Sequence, residues 1–224
     1  MLRDKTAEFD ALRTLDTPNK GMILPVVVAA SFFVKDQEKT RQLTKDEYLS
    51  EHLGRIAKSW GARTCLLDTR FLKLDKEAQQ DASDLAKFLN AGRKFGCSII
   101  PTFDLKTSNF RCSAISSHWQ STGNGLALRL TLSDLSDPGL RTKIHSLLIK
   151  MVVKPQQCVL ILDLSDADLS EVDAFAAFEE FRNMACGGES LLPPRIIPRK
   201  IPLPKTAKPK LAGTNGSPGN KPSH

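Results

Sequence analysis

The chain is 224 residues long, 41% hydrophobic and 25% charged, which is enough to bury the core of one α/β domain, and no run reaches the ~20 apolar residues of a membrane helix. Its formal net charge of +7 lies wholly beyond position 190: seven basic residues there meet no acid, leaving 25 basic and 25 acidic residues before it. The folded part is therefore neutral, which excludes a nucleic-acid surface built on bulk charge. The five cysteines stand far apart, so zinc ribbons and paired redox motifs are excluded, and Cys65, Cys97 and Cys158 read as small apolar residues beside strands in a reducing, cytoplasmic setting. The amino terminus shows no secretory signal pattern.

The first apolar run, 24–30, predicts a strand. Thr44 followed by Glu47 is a capping-box signature, and Leu49, Leu53, Ile56, Ala57 and Trp60 then share one helical face that ends at Gly61. A strand follows at 64–68. Segment 76–95 repeats the helical stripe with Ala78, Ala82, Leu85, Phe88, Leu89 and Phe95, with Gly96 as its stop before a strand at 98–105. Phe110, Ile115 and Trp119 suggest one short helix within 107–124, ahead of a strand at 126–132. Pro138 suits a first helical turn, Leu140, Ile144, Leu147, Leu148 and Met151 continue the stripe, and Pro155 closes it. A strand at 158–164 and a helix at 169–184 complete the pattern. The acidic start of that last helix (Asp166, Asp168, Glu171, Asp173) suits the positive end of its dipole and needs no ligand.

Continuous apolar runs spaced by helices are how strands covered on both faces are written, so the fold class is α/β with parallel β/α repeats. An open dinucleotide fold should place a glycine-rich turn after its first strand, and Ala30-Ser31-Phe32-Phe33 has none. The repeats instead suggest a TIM-like barrel. It is incomplete, because closure takes eight strands and five are counted.

The segment Leu2-Arg3-Asp4-Lys5-Thr6-Ala7-Glu8-Phe9-Asp10-Ala11-Leu12, then Ile23-Leu24-Pro25-Val26-Val27, resembles the opening of the beta protein family, named for a protein of T-even bacteriophages. Leu66-Leu67-Asp68, Ile99-Ile100-Pro101, Gly125-Leu126-Ala127-Leu128-Arg129 and Leu160-Ile161-Leu162-Asp163-Leu164 extend the likeness to about Met184. Against that family pattern the chain begins partway through the first strand. After 184 it turns proline-rich where the family continues into further strands: eight of the 13 prolines lie beyond position 190. The resemblance thus implies a truncated member, with a partial barrel domain at 1–190 and a disordered Pro/Lys-rich tail at 191–224. Exposed sheet edges would allow self-association.

Chemistry in such folds gathers at the carboxyl ends of the strands. Asp68, Arg70, Asp104, Arg129 and Asp163 stand there, joined by Arg3, Lys5 and Glu8 from the first loop. Asp68, Arg129 and Asp163 are the catalytic candidates, with the carboxylates as acid–base groups and Arg129 as an anion clamp. Arg3, Lys5, Glu8 and Asp104 are the candidate substrate-binding set. Three carboxylates at one mouth could hold Mg²⁺ or Ca²⁺. An Asp after a strand more commonly caps the next helix, and an Asp–Arg pair commonly satisfies itself, so no metal and no cofactor are assigned. His52 and His145 read as surface or packing residues, and His118-Trp119 could stack a ligand or bury itself. Neither a Gly-x-Ser-x-Gly elbow nor a phosphate-binding Gly-x-x-x-x-Gly-Lys loop is present. Two functions follow. One is a barrel-like interaction protein, tied to phages or defence only through the family name. The other is an enzyme acting on an anionic, phosphorylated substrate at the barrel mouth. Convergence of the candidate side chains around a concavity distinguishes the second.

Overall fold

A computed structural model describes residues 2, 3, 6–32 and 43–163. Among these described residues, six parallel strands form one sheet in sequential order: β1 (Leu2–Arg3), β2 (Val26–Val28), β3 (Thr64–Asp68), β4 (Ser98–Phe103), β5 (Leu126–Thr131) and β6 (Cys158–Asp163). All five expected runs are strands. The sheet also gains β1, where Leu2 pairs with Val27 and Arg3 with Val28. The run at 24–30 narrows to three residues, although the Ala29 amide still donates to the Asp68 carbonyl at 3.0 Å.

The two-residue period of the strands separates two apolar layers. Val27, Leu67, Ile99, Leu128 and Leu160 face one way and pack with helix residues such as Leu53, Ile56, Phe88 and Ile115 in the main core. Val26, Leu66, Ile100, Ala127 and Ile161 face the other way and form a second cluster built from strand residues, with Leu24 and Val159 at its margin. Among the described residues, helices thus cover one face only. Sequential strand order with helices on a single face is the half-barrel arrangement, because a doubly wound sheet reverses its order and is covered on both sides.

The helices largely follow their signals. α1 (Thr6–Thr14) and α2 (Thr17–Met22) precede β2, and Asp16 caps α2 by accepting the Asn19 amide at 2.8 Å. α3 (Lys45–Trp60) carries the expected capping box: the Thr44 hydroxyl accepts the Glu47 amide at 3.3 Å, and the Glu47 carboxylate accepts the Thr44 amide at 2.8 Å. α4 (Ala78–Lys94) fills the next interval. α5 (Asn109–Thr122) is a full 14-residue helix rather than a short one, capped by Ser108. Its apolar stripe is thin because its buried face includes Ser116, which donates to the Met151 carbonyl at 2.9 Å, and His118. α6 (Leu132–Leu135) and α7 (Leu140–Lys150) follow β5, and Pro138 stands in the turn before α7 rather than in its first turn. The expected helix at 169–184 and the tail at 191–224 lie outside the described residues. Among the described residues no helix is long and apolar enough to cross a membrane.

His52 is buried among the rings of Phe9, Tyr48 and Phe88, a packing role, whereas His145 is exposed. The Trp119 indole donates to the Val152 carbonyl at 3.3 Å, so the His118-Trp119 pair belongs to a packed helix and not to a loop. Cys65 and Cys158 are core residues, and burial pushes both thiols up to about 12.

Gly125 precedes β5 with φ +88°, and a Cβ there would lie 2.8 Å from the Gln157 carbonyl oxygen. Gly125→Ala is expected to cost about 1–3 kcal/mol, read as a lowered urea midpoint; an unchanged midpoint contradicts the strain. Burial holds the His118 imidazole below its ordinary 6.5, and the positive charge of Arg93 acts in the same direction. The unfolded chain therefore takes up this proton first, and stability falls as pH drops below about 6.5. His118→Leu should flatten that part of the stability–pH curve, and an identical curve for both proteins refutes the assignment.

Candidate functional site

Register decides which strand-end residues meet. One step along the concave face from Leu66, Ile100, Ala127 and Ile161 come Asp68, Thr102, Arg129 and Asp163, so the inner surface changes from apolar to charged toward the carboxyl ends. Asp68 and Asp163 are each 1% exposed and Arg129 is 4% exposed. Arg129 Nε donates to Asp163 Oδ2 at 2.9 Å, its Nη2 donates to the same oxygen, and its Nη1 lies 3.7 Å from Asp68 Oδ2. Arg70, just beyond β3, completes the set. Its Nε lies 3.3 Å from Asp68 Oδ2, and its Nη1 donates to Asp163 Oδ2 at 3.1 Å. A residue following β3 thereby touches the end of β6 across two intervening strands, a direct measure of the sheet's curl. Two carboxylates and two guanidiniums cancel formally, and that balance lets the charges sit where water is largely excluded.

Beside this cluster a cleft of about 440 Å³ opens, bounded by Asp68, Thr102 and Arg129 and by the segments that follow β3 and β4. Arg111 of α5 braces its wall: Nε donates to Asp81 Oδ2 at 2.7 Å, Nη1 to the Thr69 carbonyl at 2.9 Å, and Nη2 to the Leu72 carbonyl. Asp81 also accepts the Leu74 amide at 2.7 Å and the Asp75 amide at 3.3 Å. Burial pushes the Asp81 carboxyl up, but Arg111 and those amides outweigh it and hold the group below the usual carboxylate range. The other cleft carboxylates are occupied locally. Asp75 meets Lys45 at 2.5 Å, and Asp104 accepts the Lys106 amide and the Thr107 hydroxyl, each at 2.9 Å. Six basic side chains line the cleft (Arg70, Lys73, Lys76, Lys106, Arg111, Arg129) against four acidic ones (Asp68, Asp75, Asp81, Asp104), so it is net positive.

Asp68, Arg129 and Asp163 are thus brought within reach of one another. Asp104 lines the cleft with its carboxylate committed to its own turn. Glu8 is half-buried on α1, and its Oε2 is enclosed without a hydrogen-bond partner among the described residues. Arg3 holds the register position opposite Val28, and Lys5 lies outside the described residues. No three His, Cys, Asp or Glu side chains come together as metal ligands among the described residues. Sequence reasoning missed Asp81 and Arg111, which are 30 positions apart and belong to no motif. It also missed Lys73, Lys76 and Lys106, whose placement just after β3 and β4 was the available signal.

Removing one member of the cluster strands the others. Arg129→Ala is expected to cost about 3–5 kcal/mol in urea unfolding, with the Arg129→Met, Asp163→Leu double variant recovering much of that loss. Equal losses in both variants would contradict a coupled pair.

No curated protein and no solved structure matches the sequence. A family model does: the one described as Beta protein matches residues 1–186, a span that contains all six strands and both walls of the cleft. The half-barrel and its charged mouth are therefore features of a chain that belongs to the Beta protein family.

Proposed function

We propose that the protein binds a small phosphate- or carboxylate-bearing molecule in the cleft at the carboxyl ends of β3 and β4 and acts on it there. The observation that carries this reading is the juxtaposition of buried Asp68 and Arg129 with Lys73, Lys76 and Lys106, which form no ion pair among the described residues. Three uncompensated ammonium groups around a concavity favour an anion. The α4 and α5 amino-terminal turns, marked by Ala78 and Ser108 in the lining, add the positive ends of two helix dipoles. Arg129 has Nε and Nη2 engaged with Asp163, which makes Asp163 a positioning residue and gives Nη1 the role of anion clamp. Asp68 is the proposed acid–base group, because it borders the cleft directly. Arg3, which ends β1, Lys5 and Glu8, which come after it in the chain, and Asp104, which follows β4, complete the proposed binding set. We place the activity in the cytoplasm, where the thiols stay reduced.

Titration calorimetry with inorganic phosphate and pyrophosphate tests the reading. Binding that weakens with salt is expected, and Lys73→Ala, Lys76→Ala and Lys106→Ala should each weaken it by about tenfold, the size of a charge-assisted hydrogen bond. Absence of binding overturns it. Capture of a protein partner, unaffected by these substitutions and with no anion bound, would favour instead the phage- or defence-linked interaction role suggested by the family's name.

A further inference from the structure

We infer that Lys45, which stands outside the cleft, keeps the cleft lysines free for the anion by holding Asp75 away from them; this rests on the anion-binding reading above. Asp75 lies between Lys73 and Lys76 in the chain, and all three residues line the cleft. The cations nearest to it in sequence are therefore the two ammonium groups assigned to the ligand. A carboxylate so placed is expected to pair with either of them and to cancel the charge that draws an anion in. It does not. Asp75 Oδ2 meets the ammonium of Lys45 at 2.5 Å, a residue 30 positions earlier that is absent from the cleft lining.

Lys45 is held from its other side as well. Its Nζ donates to Asp84 Oδ2 at 2.9 Å, and Asp84 is 6% exposed. Asp84 is itself fixed on α4, where its Oδ1 accepts Gln80 Nε2 at 2.9 Å and Lys87 Nζ at 3.1 Å. The far end of the bridge is equally set, because Asp75 Oδ1 accepts the Glu77 amide at 3.1 Å. Lys45 opens α3, at the end of the helix dipole that disfavours a cation, and the acids suited to that end, Asp46 and Glu47, follow directly. Helix stability thus does not call for a lysine there. Asp84 keeps Gln80 and Lys87 without it, so the buried carboxylate does not call for it either. What Lys45 adds is the hold on Asp75. It is a positioning residue: without it Asp75 turns to Lys73 or Lys76 and withdraws their donors from the ligand.

Titration calorimetry of the full-length chain with pyrophosphate reads this effect. Lys45→Met is expected to weaken binding by about fivefold, the size of one partly exposed ion pair turned against the ligand. Adding Asp75→Asn to Lys45→Met should restore that affinity, whereas Asp75→Asn alone should change wild-type affinity by less than about twofold, a non-additivity that a distant charge or a general loss of structure does not produce. Unchanged affinity in Lys45→Met, or an equal gain from Asp75→Asn in both backgrounds, overturns the inference and leaves the anion site standing. Failure of the wild type to bind pyrophosphate overturns both. Circular dichroism checks the fold; should Lys45→Met misfold, the Lys45→Met, Asp84→Asn variant, which removes the buried charge left facing the gap, takes its place in the same comparison.

Discussion

Two aspartates and two arginines share the charged half of the concave face, and each is tolerable there only because the others are present. A single guanidinium or carboxylate moved from water into such a layer is costly unless it meets an opposite charge with well-placed hydrogen bonds. Asp163 Oδ2 receives nitrogens from both Arg70 and Arg129, and Asp68 stands beside both cations. This arrangement ties the loop after β3 to β5 and β6 and sets how tightly the sheet curls. The apolar layer behind it (Val26, Leu66, Ile100, Ala127, Ile161) has no directional preference, so the charged layer supplies the specificity of register that hydrophobic contact alone lacks.

The cleft inherits its shape from this anchoring and from a second brace outside the sheet. Arg111 joins α5 to Asp81 of α4 and to two carbonyls of the loop after β3. With the near end of the loop fixed through Arg70 and its middle fixed through Arg111, the lysines are displayed from a framework that does not need a ligand to order it. Preorganisation of this kind lowers the conformational cost of binding.

The strands were readable because burial on both faces writes an unbroken apolar run, and Thr64–Asp68 needed no adjustment. Asp68 and Asp163 could be placed at the mouth for the same reason, since they end such runs. What could not be read was which side chains meet. Arg70 crosses to β6 and Arg111 to α4 through tertiary geometry that leaves no local pattern. α5 was understated because its buried face includes Ser116 and His118, polar residues that a hydrophobic stripe does not record. α1 and α2 were likewise invisible to a reading that sought long amphipathic segments, being 9 and 6 residues long.

Because each strand lies beside the one preceding it in the chain, every new β/α segment meets a partner that has already emerged from the ribosome. Low separation along the chain between paired strands reduces the loop-closure entropy that slows other sheet topologies. The half-barrel can therefore grow in the direction of synthesis, its first strands waiting on no distant segment. The crossing from Arg70 to Asp163, 93 positions apart, must await the last of these strands, so the ionic latch would follow the growth of the sheet rather than seed it.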